Sequence, residues 1–443
     1  MNENRALMER AYRLFPEPED PFESLRRRRD RKRRNQRVSA VVFTLLLLAV
    51  AIGGAIVLLR SSEHPVPANP PGAADWSQFG SGPGRTFSNP AETTLTTENV
   101  AGLHVAWSTD LGRDVDTSPV VVDGIVYVGS NHKNEAGLAA VDVSTGEILW
   151  SVETLPPPVT SPAVADGTVL VGTGIGVSAF DATTGAELWS KPGPTGTEMT
   201  FPPAVAEAIV YVASSPRGIA ALDPSTGEEI WGDEDLSMGA AWPYMGGGIA
   251  VADGSVFVGG AQHLFAIDAS IGSTLWKRWH RYAIGMPLVA DGVVYAIFHN
   301  YLVALDTSTG AELWSAGPDS SNLVFEHEVV FGHLHGFSSN LIVALDAFTG
   351  AELWSRRPAS GEHAASMAAA NGVLYVYHVA WPGRRWRVGI EALDPSAGEI
   401  LWTSRMGTWI PGRRPYETPP PAISDGVVYV GGSGTHELFA FHL

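Results

Sequence analysis

Catalysis needs side chains that can exchange protons, attack or ligate, and few in this chain are spaced to do so. The most suggestive are histidines: His333 and His335 are two apart, which puts them on one face of a strand, and His327 lies near them. Such a group could hold zinc or copper. A metal site, however, needs three or four converging ligands and a supporting shell, so histidines at the surface or between sheets are the plainer reading. Gly172-Thr173-Gly174-Ile175-Gly176 imitates part of a dinucleotide loop. A strand pattern follows it where a phosphate cradle needs a helix N-terminus, so that reading is rejected. No Gly-x-Ser-x-Gly elbow and no His-Glu-x-x-His pair occurs, and there is no cysteine. Disulfides, thiolate metal sites, iron–sulfur clusters and a cysteine nucleophile are thereby excluded.

Recognition is better represented than catalysis. Aromatic and arginine side chains gather in the longer connections: Trp242 and Tyr244; Trp279, Arg281 and Tyr282; His333 and His335; Trp381, Arg384, Arg385, Trp386 and Arg387; Trp409, Arg413, Arg414 and Tyr416. Aromatic planes beside guanidinium groups suit stacking on sugars or peptide side chains and pairing with carboxylates or phosphates. Whether they form one site depends on the elements that carry them.

Those elements follow from a repeat. Tryptophans in apolar strands fall at Trp107, Trp150, Trp189, Trp231, Trp276, Trp314, Trp354 and Trp402, a spacing of 38 to 48 residues. A period near 40 residues built of short strands is the signature of propeller blades. Each period contains an alternating strand, a tight turn, a second and a third strand, then a further turn and the tryptophan strand. The first turn is Asp-Gly at Asp123, Asp166, Asp253, Asp291 and Asp425, with Asn371-Gly372 as a variant. That pair is a strong signal for a two-residue hairpin. Glu207-Ala208 and His327-Glu328 depart from it. In the second turn Asp142, Asp181, Asp223, Asp268, Asp306, Asp346 and Asp394 each stand four residues before a glycine. Acids repeated seven times at one place in a turn are read as structural acceptors of backbone N–H groups, not as catalysts. The last period stops at Leu443 without a tryptophan strand, while Leu103 to Trp107 is a tryptophan strand without a blade. Pairing the two would close the ring and remove the open edges. The expected fold is all-β, an eight-bladed β-propeller over residues 75–443.

The repeat resembles the PQQ-type propellers of the quinoprotein alcohol dehydrogenase-like superfamily. Their core pattern is matched by Ala304-Leu305-Asp306 followed by Thr309-Gly310-Ala311-Glu312-Leu313-Trp314. The lead-in Asp75-Trp76-Ser77-Gln78-Phe79-Gly80, with Asn99-Val100, Leu103 and Trp107, is similar as well. WD40 propellers fit less well, because no Trp-Asp dipeptide ends the repeats. The resemblance implies the fold, and it leaves two functions open. Dehydrogenases of the superfamily carry pyrroloquinoline quinone (PQQ) with calcium above an adjacent cysteine pair, which this chain cannot supply. The non-enzymatic branch includes the β-barrel assembly lipoprotein of the outer membrane, whose lipid-bearing cysteine is also absent here.

In a four-stranded blade of this kind, the loops after the tryptophan strand and those between the second and third strands emerge together, opposite both tight turns. The aromatic and arginine clusters fall on that loop face, in blades 3 to 8. The expected function is accordingly a binding or scaffold module for a protein, peptide or saccharide, without a cofactor. A PQQ- and calcium-dependent dehydrogenase is the alternative.

Charge and hydropathy place the propeller in the cell. Residues 1–37 hold 12 basic and 7 acidic residues, and the remaining chain holds 17 against 40. A body with net charge −23 argues against nucleic acid as a partner. Residues 38–59 contain no charge, and about 20 apolar residues suffice to span a bilayer as a helix. The basic run from Arg26 to Arg37 just before them is expected to stay cytoplasmic. A cleaved leader is the rival, with Ala49-Val50-Ala51 of the right size, yet cleavage there would leave an apolar new terminus from Ile52 to Leu59. The expectation is a cytoplasmic tail over 1–37, an uncleaved transmembrane helix over 38–59, and a proline-rich stalk over 60–74. The propeller would then stand outside the cell membrane.

Overall fold

A computed structural model describes residues 75–443, apart from residues 133–134, 158, 193–200, 214–216, 238–247, 261, 282–283, 299–300, 318–319, 336–339, 359–361, 381–386, 409–418 and 433–434. The expected tail, transmembrane helix and stalk lie outside the described residues. Among the described residues, no helix is long and apolar enough to cross a membrane, and the only helical element is the short 3-10 turn Val100–Gly102.

The described chain is all-β and forms eight sheets, each with four strands in simple up-and-down order, to one of which Ser88–Asn89 adds a fifth, parallel strand beside Ala369–Ala370. In blade 1 these are Val120–Val122, Ile125–His132, Glu135–Asp142 and Ile148–Leu155. Alternation along the central strands leaves nearly every residue buried, because a blade is covered on both faces by its neighbours. The expected hairpins form: Asp123 and Gly124 have φ of 51° and 76°. The two departures keep the same turn at a steric cost, with Glu207 and Ala208 at 50° and 56° and His327 and Glu328 at 48° and 64°.

The aspartate turns act as read from the sequence. Asp306 Oδ1 accepts the N–H groups of Ser308 and Thr309 at 3.2 and 2.8 Å and both their hydroxyls at 2.7 Å. The glycine of each such turn also receives the tryptophan of the preceding blade. Trp276 packs on Gly310, and its Nε1 donates to the Thr307 carbonyl at 2.8 Å. The same pair of contacts joins blade to blade from Trp107 to Trp354.

The ring closes as the orphan strand requires. His104–Asp110 becomes the outer strand of blade 8 beside Glu437–His442, with Trp107 opposite Ala440. Trp402 Nε1 then donates to the Leu103 carbonyl at 2.8 Å, which completes the circle of indole contacts.

Candidate functional site

Two regions break the regularity of the eight blades, and the first is the axis. Residues 76–89 run around it and bond in turn to the innermost strand of every blade. Trp76 exchanges two backbone bonds with Val121, and Ser77 accepts from Val164. The Gln78 amide bonds both backbone groups of Val205, at 2.9 and 2.8 Å. Pro83, Gly84, Thr86 and Phe87 accept from Val251, Val289, Phe325 and Ala369. Asn89 reaches the Ile423 carbonyl of blade 8 at 2.8 Å. Every partner stands two residues before its hairpin turn, so the segment forms a level ring near the hairpin end. Gly84 lies so close that a Cβ would come within 2.5 Å of the Val289 carbonyl oxygen.

The middle of this ring is filled. Phe79 and Phe87 meet edge to face at 5.1 Å, and the Arg85 guanidinium lies 5.1 Å from the Phe79 ring centre. Arg85 is 1% exposed; Nη2 donates to the Pro202 carbonyl at 2.9 Å and Nη1 lies 2.9 Å from Met286 Sδ. Among the described residues no carboxylate pairs with it, and burial pulls its guanidinium down to about 9. Pro202 and Met286 precede the inner strands of blades 3 and 5, so Arg85 staples the ring to both.

The second region is the loop face. Trp279 ends the fourth strand of blade 4 with 62% of its surface exposed, and Tyr301 opens the third strand of blade 5 with 56% exposed. Arg281 and Arg387 are also exposed. His333 departs from the others: it is 1% exposed, paired in register with Ser321 and Ile342 inside blade 6, and so does not reach a ligand at the surface. His335 lies on the same strand opposite Asn340. Trp242, Tyr244, Tyr282, Trp381, Arg384, Arg385, Trp386, Trp409, Arg413, Arg414 and Tyr416 lie outside the described residues.

For the dehydrogenase alternative, two observations bear on the donor set. No three His, Asp or Glu among the described residues converge as a metal would need, and no cysteine exists to lie under a quinone.

Gln78 and Arg85 carry no signal of a site in the sequence. Gln78 and Arg85 fall in the recognisable lead-in, but their partners come from blades more than a hundred residues away.

A family model described as outer membrane protein assembly factor BamB matches residues 73–221, 215–330 and 300–434. Among curated proteins no sequence matches the chain. Solved structures share its fold. Quinohemoprotein alcohol dehydrogenase from Comamonas testosteroni is 17% identical, over 83% of this chain and 80% of that one, with a TM-score of 0.64. BamB from Moraxella catarrhalis is 18% identical, over 77% and 100%, with a TM-score of 0.58. A europium-containing methanol dehydrogenase is 14% identical, over 84% and 98%, with a TM-score of 0.63.

Proposed function

Since the chain belongs to the family described as outer membrane protein assembly factor BamB, a family of PQQ-repeat propellers, we propose that it is a binding or scaffold module that presents its loop face to a partner. The observation that carries this reading is the difference between the two faces. The hairpin face is eightfold regular and its axis is filled by Phe79, Phe87 and Arg85. The loop face instead holds exposed Trp279, Tyr301, Arg281 and Arg387. Exposed aromatic and arginine side chains are the residue types that dominate binding hot spots. The family's description concerns protein assembly, which favours a protein or peptide over a saccharide. Residues 38–59 would anchor the module as a single span, with the tail over 1–37 in the cytoplasm and the propeller outside.

The test is binding by the full-length protein on peptide and glycan arrays, for wild type and for Arg385→Ala/Trp386→Ala. Altered binding with an unchanged melting temperature supports the loop face, and identical profiles remove this loop from it. The dehydrogenase alternative is checked by adding PQQ and calcium and following visible absorbance and dye reduction. Saturable cofactor binding with turnover would replace the scaffold reading.

A further inference from the structure

In a repeat protein, function concentrates where one repeat departs from the rest, because the shared residues are already explained by the fold. Among the described outer strands, that of blade 4 departs most. The residue after the blade tryptophan is Ser108, Ser151, Ser190, Gly232, Ser315, Ser355 or Thr403 in the other seven blades, and Lys277 here. Two residues further on stands Trp279, where no other blade has an aromatic.

Thr274–Trp279 bonds on one side, to His263–Asp268, and its other edge has no partner strand among the described residues. Trp276 and Arg278 turn to blade 5, where Arg278 bonds Glu312 at 2.7 Å. Alternation puts Lys277 and Trp279 on the opposite side, and both are exposed, as is Leu275, by 51%, at the irregularity between Thr274 and Trp276. Lys277 has no carboxylate in ion-pair range among the described residues. Its charge, after burial, helps hold the neighbouring His263 imidazole below its ordinary value.

We propose that the outer edge of blade 4 captures an extended acidic peptide by strand addition. The peptide would pair its backbone along Thr274–Trp279, set a carboxylate against Lys277 and lay an apolar side chain on Trp279. Strand addition supplies affinity through main-chain bonds and selectivity through alternate side chains. Lys277, with no carboxylate in ion-pair range among the described residues, makes acid the complementary sign at this edge. The proposal deepens the binding-module reading by naming a partner chemistry and a mode, at the corner where this edge meets the loop face.

The experiment is fluorescence anisotropy of a labelled decapeptide alternating glutamate and valine, titrated with the full-length protein. A lysine–valine peptide and an N-methylated copy of the acidic one serve as probes of charge and of backbone pairing. Saturable binding of the acidic peptide alone is expected, weakened on the order of tenfold by Lys277→Ser and by Trp279→Ala with the melting temperature unchanged. Lys277→Ser installs the residue that most other blades carry there, so it tests the charge without disturbing the fold. Binding kept in Arg385→Ala/Trp386→Ala but lost in these variants supports the proposal whatever the loop-face arrays give. Equal affinity for the basic or N-methylated peptide, or no change in both variants, overturns it.

Discussion

The indole of Trp314 packs on Gly350 of the next blade so closely that a Cβ there would come within 2.5 Å of its Cε3. Nε1 of the same ring donates to the Ala347 carbonyl at 2.8 Å. Trp314→Ala should cost on the order of 3 to 5 kcal/mol, as truncation of a buried aromatic. Gly350→Ala should also destabilise, from the clash and from a φ of 70°. In the Trp314→Ala background the clash disappears, so the second substitution should cost less than it does alone. Urea unfolding of the four proteins measures this coupling, and strict additivity would refute the contact.

Glu328 holds a left-handed φ of 64° where most other blades place glycine. Glu328→Gly should raise stability by up to about 1 kcal/mol, and Ala208→Gly likewise, by relieving that strain. Differential scanning calorimetry checks both; lower melting temperatures would mean that their side chains compensate for the strain.

Deleting Leu103 to Trp107 removes strand and tryptophan at the ring closure and leaves Glu437–His442 as an open edge. The expected outcome is loss of soluble protein. Yield equal to the parent would show that blade 8 does not depend on this strand.

Stability should fall with acid. Bonds from Ser144, Thr184, Ser225, Ser270, Ser308, Thr349 and Ser396 side chains are the leading cause that lowers the seven turn aspartates. Their contribution is present above the unfolded aspartate pKa and is lost as pH drops through the lowered folded values. Glu326 has the opposite sign: burial raises it, against the Gly372 N–H and His327, so its contribution fades as pH rises through the raised value. Glu326→Gln should therefore gain stability relative to the parent on going from pH 4 to pH 7. Melting curves across that range decide it, and a constant difference would mean that Glu326 does not titrate there.

The anchor and its direction are checked on intact cells or spheroplasts. Added protease should digest propeller loops and spare a tag at Asn2. Removal of that tag from outside would reverse the orientation.

Blade number, both turns and the closing strand were legible because each rests on local spacing that recurs in every period. The eight tryptophans and the seven Asp-to-Gly turns carry one signal many times. The axial ring was not legible, since each bond of residues 76–89 goes to a different blade and leaves no period. For the site, exposure of Trp279 followed from its place at the end of a strand. His333 looked equally available, yet its position inside blade 6 turns it into the packed interior. Lys277 stands out once the outer strands are superposed and a serine-like position is seen to hold a cation.

The axial ring also governs the order in which the molecule can be completed. Residues 76–89 emerge early during synthesis, but Asn89 finds the Ile423 carbonyl only across 334 positions of chain, as does Glu92 the Gly426 N–H. Closing so long a loop is entropically unfavourable until the intervening blades shorten it. The Asn89 bond and the strand His104–Asp110 must therefore wait until blade 8 is made. Disrupting Glu437–His442 would therefore leave His104–Asp110 without its partner, and Asn89 without the blade that carries Ile423, which makes blade 8 the element that commits the ring to closure.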